Sequence, residues 1–437
     1  MQARMSEASR VLLCLVPTLL VGVILFHKGA QRPNLDLQKA WFEHTKATLH
    51  TMTPAQAADH FKTMPMRTAP PPHQNKIDHF VVVFMENHAA DSMLGCMDLP
   101  GFDGVRGGHA IPKDPNEPSK GKVNVTCGTQ PYVCRGGPGY DPFKGKLSPS
   151  GDPGKYPYGD QSDSHSYAHG ADGNAISMFS EEQLPVKAAA AHEFGVFNKY
   201  FASVPSMSTP NHFFSQSGTS CGIHDNILYS QCGGKQDTFP MFTIYDSLAL
   251  SGYEFAFYMN ASCGLPGHRE CRGLDPHTGE AGSPVSSPDV AMAGVGRRKT
   301  KFKSQVRFYE EAAAGTSPGL VWFDPRAEGG DHPCNDVAKG ERTLNDVHEA
   351  LRAGPKWNRP LLLVVCDDPG GFYDHVVPPA DVPADDAACH LSDHCQGSAP
   401  FDFRRLGLRV AYLLISPWIP KGMVFQEPAK GAQFEHS

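Results

Sequence analysis

Several features are missing from this 437-residue chain, and each absence excludes something. There is no excess of basic residues: 39 Lys and Arg stand against 46 Asp and Glu, for a net charge of −7. That argues against a general nucleic-acid binder, which needs a basic face. None of the 12 cysteines forms a Cys-x-x-Cys pair, which argues against zinc-finger chemistry. There is no internal repeat, and no linker divides the chain after about residue 75. One large domain is therefore expected, although the length alone would permit two or three. Charged residues are only 19% against 40% hydrophobic, a balance that suits a large buried core and not a disordered chain.

What is present begins with a distinct amino-terminal segment. Arg4 and Arg10 precede an apolar run over residues 11–26, and His27 and Lys28 follow it. This pattern predicts a signal peptide or an uncleaved signal-anchor over residues 1–31. Residues 32–75 read as a helical stem closed by Ala69-Pro70-Pro71-Pro72, because proline removes the donor a helix needs. The rest of the chain is then expected in the secretory pathway, as a single-pass membrane protein with a luminal or extracellular domain or as a secreted one. Cysteine usage agrees. Cys127 with Cys134, Cys221 with Cys232, Cys263 with Cys271 and Cys389 with Cys395 are close in sequence and suggest local disulfides. Asn124-Val125-Thr126 and Asn260-Ala261-Ser262 are glycosylation sequons.

From residue 76 onwards, apolar strands alternate with helices. Residues 77–85 (IDHFVVVFM) and 361–366 (LLLVVC) are nearly continuous apolar runs that suit strands buried on both faces, and 408–415 is a third. Shorter strands are expected at 196–201, 253–258 and 320–323, and helices at 182–193 and 341–353. In the latter, Leu344, Val347 and Leu351 recur at helical spacing. Residues 97–160 read as long loops. The pattern predicts an α/β fold with a largely parallel central sheet flanked by helices.

Two of the buried strands end in polar clusters, Glu86-Asn87-His88 and Asp367-Asp368. In open α/β sheets, ligands bind beyond the carboxyl ends of the strands. Carboxylates there are costly unless paired or metal-bound. Glu86, Asn87, Asp367 and Asp368 offer hard oxygen ligands for Mg²⁺, Ca²⁺ or Mn²⁺. The alternative is that Glu86 opens a loop and the Asp pair caps a turn before Gly370-Gly371. The hydroxyl-rich segment 204–222 follows a strand, and Pro210-Asn211 suit a helix start. Ser206, Ser208 or Thr209 could be presented at that helix N-terminus, where backbone N–H groups favour anions. His165 and His332 lie in Gly- and Asp-rich loops, where they could bind phosphate oxygens or protonate a leaving group, or be merely solvated.

Taken in order, these segments resemble the phosphoesterase family that contains bacterial phospholipases C, plant non-specific phospholipases C and a bacterial acid phosphatase group. The motifs are ENHAADSMLG (86–95), SHS (164–166), FASVPSMSTPN (201–211), GDHPCNDVAKGE (330–341), HEALRAGPKWNRPLLLVVCDDPGGFYDHVVPP (348–379), RLGLRVAYLLISPWI (405–419) and QFEHS (433–437). They span residues 76–437, the expected catalytic domain, and look most like the plant branch. The resemblance implies a fold similar to the alkaline phosphatase and sulfatase superfamily. It implies that Ser208 is the nucleophile, that Glu86, Asn87, Asp367 and Asp368 hold a divalent metal ion, and that His165 and His332 serve the phosphate.

The same resemblance implies cleavage of a glycerophospholipid at a membrane surface, to diacylglycerol and a phosphorylated head group, through a phosphoseryl intermediate. A broad acid phosphatase acting on small phosphate esters would use the same motifs. An inactive lipid- or phosphate-binding protein is the alternative from another class. Some positions depart from the family pattern: His88 stands for an Arg and Pro369 for a His. Around residues 295–310 no histidine occurs, leaving Arg297, Arg298, Lys299 and Lys301 as cationic substitutes. His375 is expected to play a structural part. The family continues beyond the EHS motif, whereas this sequence ends at Ser437, as in an early-ending branch or a truncated gene model.

Overall fold

The structure, a computed structural model, describes residues 76–106, 109–112, 118–130, 176–223, 239–259, 288–325, 329–332, 335–383, 403–426 and 434. The expected signal segment, the stem, His165, the second sequon and most cysteines lie outside these residues. Among the described residues no helix is long and apolar enough to cross a membrane.

Eight strands form the main sheet: β1 His79–Met85, β2 Gly195–Phe197, β3 Phe255–Met259, β4 Phe302–Ser304, β5 Leu320–Asp324, β6 Pro360–Cys366, β7 Tyr412–Ile415 and β8 Met423–Phe425. Their order across the sheet is β8-β2-β7-β6-β1-β5-β3-β4. Five of the seven pairings are parallel, and the two on either side of β7 are antiparallel. The sheet is thus largely parallel, as expected. The apolar run 408–415 forms a strand only over its second half. Its first half makes single bridges, from Arg409 to Phe201 and from Val410 to Ala89.

Helices among the described residues include α1 Ala90–Leu94, α2 Pro185–Glu193, α3 Ser208–Ser217, α4 Ile244–Leu250, α5 Gln305–Ala314 and α6 Ala338–Ala353. β1 sits at the centre because Val81, Val83, Phe84 and Met85 are all buried. Burying each such side chain contributes about 1.5–3 kcal/mol. α6 turns Leu344, Val347 and Leu351 inward and packs on α2 and α5. α4 begins with a capping box between Thr243 and Asp246, and α5 with Ser304 accepting the Arg307 N–H.

One expected disulfide is corrected. Cys127 is bonded to Cys96, not to Cys134. Cys127 lies in a short strand, Thr126–Cys127, that pairs with Ser177–Met178, and the Phe179 N–H donates to the Ser92 carbonyl of α1. The fold therefore brings Cys127 against the end of α1, where Cys96 follows, and no sequence spacing announces that. Cys221 is also disulfide-bonded, and its partner lies outside the described residues. Cys366 is a free, buried thiol.

Candidate active site

The parallel register of β1 and β6 pairs Met85 with Cys366 and so sets Glu86-Asn87 beside Asp367-Asp368. β1 ends because Asn87 takes φ 62°, a left-handed conformation that asparagine tolerates better than most residues. The chain turns there, and the Asn87 N–H donates to Asp367 Oδ1 at 3.1 Å. After β6, Gly370 donates its N–H to Asp368 Oδ1 at 2.7 Å. Asn87, Asp367 and Asp368 are all buried. The two polar clusters singled out in the sequence are therefore one site.

Ser208 reaches it from α3. The helix starts two residues earlier than Pro210 suggested, so Ser208 is its first residue. Proline two places later is tolerated, since the first-turn N–H groups have no intrahelical partner. Asn211 pins the approach: its Oδ1 accepts the Val204 N–H at 3.0 Å and its Nδ2 donates to the Met207 carbonyl at 3.0 Å. The helix ends at Gly218 in the left-handed region, φ 70°. The Ser208 hydroxyl donates within reach of Asp368 Oδ2, at 3.1 Å, and of Asn87 Oδ1, at 3.3 Å. Ser208, one of the three hydroxyls left open by sequence, is thus bonded to the strand-end cluster. His332 comes from the loop before α6, with Nε2 3.6 Å from Glu86 Oε2.

The donor set suits a hard divalent ion. Burial, then the charge of neighbouring Asp367 and further that of Glu86, push the Asp368 carboxyl well above the carboxylate range. Three carboxylates and a carboxamide oxygen gathered at two neighbouring strand ends are the chemistry of an oxygen-ligated cation, which would reverse that penalty. Asp91, Asp374 and His375 also converge, each offering an atom within 4.8 Å of the others. There a buried guanidinium takes the cationic part. Arg409 donates from Nε to Asp374 Oδ1 at 2.9 Å and from Nη2 to Asp91 Oδ1 at 3.2 Å. His375 Nδ1 lies 2.6 Å from Asp91 Oδ2. This network ties α1 and the segments around residues 375 and 409 together.

Two buried residues near the site escaped the sequence reading. His212 sits one turn beyond Ser208 on α3, with Nδ1 3.0 Å from Asp289 Oδ1 and Nε2 3.6 Å from Asp367 Oδ2. The i, i+4 spacing from Ser208 is a signal that could have found His212; Asp289 carries none. Three of the four expected cationic substitutes are engaged elsewhere. Arg297 and Arg298 pair with Asp246 of α4, and Lys301 pairs with Glu254, just before the amino end of β3. His88 is buried and stacks on Phe372 at 4.2 Å between ring centroids.

An α/β sheet with a hydroxyl and clustered carboxylates at its carboxyl edge defines a hydrolase-like scaffold. The chain belongs to the phosphoesterase family, which it matches over residues 77–437. It is 34% identical to non-specific phospholipase C1 of Arabidopsis thaliana over 84% of this chain and 66% of that one. It is 31% identical to non-specific phospholipase C6 of the same plant, over 83% and 66%. The chain thus spans just under two thirds of the length of these relatives. Among solved structures it is similar to a protein in the alkaline phosphatase superfamily from Vibrio parahaemolyticus. That likeness has 11% identity and a TM-score of 0.35, over 87% of this chain and 72% of that one.

Proposed function

We propose that this protein is a phospholipase C-type hydrolase that cleaves the glycerol-side phosphodiester of phospholipids, with Ser208 as nucleophile. The observation that carries the proposal is the Ser208 hydroxyl held 3.1 Å from Asp368 and 3.3 Å from Asn87 at the start of α3. Membership of the family and the likeness to plant non-specific phospholipases C support it.

In this reading Glu86, Asn87, Asp367 and Asp368 hold a divalent ion, which when bound neutralises phosphate charge and acidifies the serine hydroxyl. Ser208 Oγ attacks phosphorus in line. The new O–P bond replaces the bond to glycerol; the Ser208 hydroxyl proton is lost to solvent, and the glycerol oxygen takes up a proton as diacylglycerol leaves. The backbone N–H groups at the start of α3 face the phosphate oxygens as they gain charge. His332, part-exposed beside Glu86, is placed to donate the proton, and His165 is assigned to the same phosphate by the family resemblance. Water then cleaves the phosphoseryl ester and releases the phosphorylated head group. The substrate places the protein at a membrane surface, and its disulfides suit the oxidising lumen of the secretory pathway or the exterior.

The test compares the full chain with Ser208→Ala on phosphatidylcholine vesicles and on a chromogenic phosphomonoester, with and without chelator. Chelator-sensitive release of phosphocholine by wild type and not by the variant is expected. Cleavage of the monoester alone would replace the substrate reading with a phosphatase. Turnover of neither by folded, metal-loaded protein would sink the enzymatic reading in favour of a binding protein.

A further inference from the structure

We propose that His212 and Asp289 are positioning residues for Asp367, a buried imidazole–carboxylate pair that fixes how this aspartate presents itself to a divalent ion. The inference rests on the reading of Asp367 as a metal ligand.

Consecutive residues at a strand end project in different directions, so Asp367 and Asp368 need separate supports. Helix α3 supplies both. Ser208, its first residue, meets Asp368, and His212, one turn further, meets Asp367. The two oxygens of Asp367 face different partners. Oδ1 accepts the Asn87 N–H at 3.1 Å, while Oδ2 faces His212 Nε2 at 3.6 Å. That separation is long for a hydrogen bond and within ion-pair range.

The other face of the ring is held. Nδ1 lies 3.0 Å from Asp289 Oδ1, and Asp289 comes from the one-turn helix Pro288–Ala291. Phe84 of β1 packs edge-on against the imidazole, with centroids 4.6 Å apart and planes at 90°. All three side chains are buried. A histidine fixed at Nδ1 by a carboxylate has one nitrogen left to point, and here it points at Asp367. Groups that orient a metal ligand from behind typically change metal affinity or activity by about 10–100-fold when lost.

The test is Mn²⁺ binding to chelator-treated full chain by calorimetry, with circular dichroism reporting the fold. His212→Phe and Asp289→Asn are each expected to weaken Mn²⁺ binding about tenfold or more. The double variant should be little weaker than His212→Phe alone, because the two act as one unit. His212→Gln, whose amide nitrogen can take the place of Nε2, should recover part of the affinity, which a purely structural role would not give. If His212→Phe fails to fold, Asp289→Asn, close in size to the native residue, and His212→Gln carry the same expectations. Wild-type affinity in these folded variants would overturn the inference and leave the metal site standing. No Mn²⁺, Mg²⁺ or Ca²⁺ binding by wild type would bring down the metal site and the inference together.

Discussion

A Cβ on Gly370 would lie 2.0 Å from the carbonyl oxygen of Asn87. The two residues turn the chain after neighbouring strands, and both do so in the left-handed region, at φ 61° and φ 62°. The contact is backbone to backbone, so no rotamer change can relieve it.

Gly370→Ala is therefore expected to destabilise the protein by at least about 2 kcal/mol and to push Asn87 away from Asp367 and Ser208. Urea unfolding measures the first effect and Mn²⁺ affinity the second. A variant with wild-type values for both would mean that this turn is slack.

Lys187 on α2 has both carboxylate partners buried with it, Glu341 at 3.0 Å and Asp331 at 3.2 Å. Glu341 also accepts the Val186 N–H at the start of α2. Lys187→Met leaves two buried carboxylates without their cation, at a cost of about 3–5 kcal/mol. Because Asp331 adjoins His332, turnover should fall as well. Denaturant melts and a rate assay on the same samples separate the two effects.

His375 gives a pH dependence with a definite sign. Burial opposes charging the ring, but the hydrogen bond and charge of Asp91, with the charge of Asp374, outweigh it and raise the pKa to about 9. The unfolded value is about 6.5. The stabilisation is thus full below about pH 6.5 and lost as pH rises through about 9, amounting to at most about 3 kcal/mol. Urea midpoints at pH 6 and pH 9.5 should differ less in His375→Gln than in wild type.

Cys96 and Cys127 close a loop 31 residues apart in sequence. Replacing both with alanine is expected to cost about 2–4 kcal/mol. Mass spectrometry of the unreduced protein should give a Cys96–Cys127 peptide and no Cys127–Cys134 peptide.

The parts of the fold that were legible in sequence are those whose signal is local. β1 and β6 could be placed because strands covered on both faces need unbroken β-branched runs, and α6 because Leu344, Val347 and Leu351 mark one face. Polar residues at the ends of β1 and β6 stood out against such runs, so Glu86, Asn87, Asp367 and Asp368 could be named from position and chemistry. Ser208 needed the family resemblance, since Ser206 and Thr209 have the same chemistry. What stayed hidden depends on tertiary approach. The Cys96–Cys127 bond forms through a strand pairing across 51 residues, from Thr126 to Ser177. The His212–Asp289 contact crosses 77 residues. β4 has three residues, too few to carry a periodicity.

The register of β1 against β6 also governs when the proposed site can be completed during synthesis. Asn87 meets Asp367 across 280 positions, and Ser208 meets Asp368 across 160. Until residue 368 has left the ribosome, the nascent chain carries Ser208, the proposed nucleophile, without Asp367 and Asp368, two of the four residues proposed to hold the ion. Under the proposed function, a polypeptide interrupted before that point would be catalytically silent however well its earlier strands fold, and the geometry itself would delay any attack on the membranes of the cell that makes it.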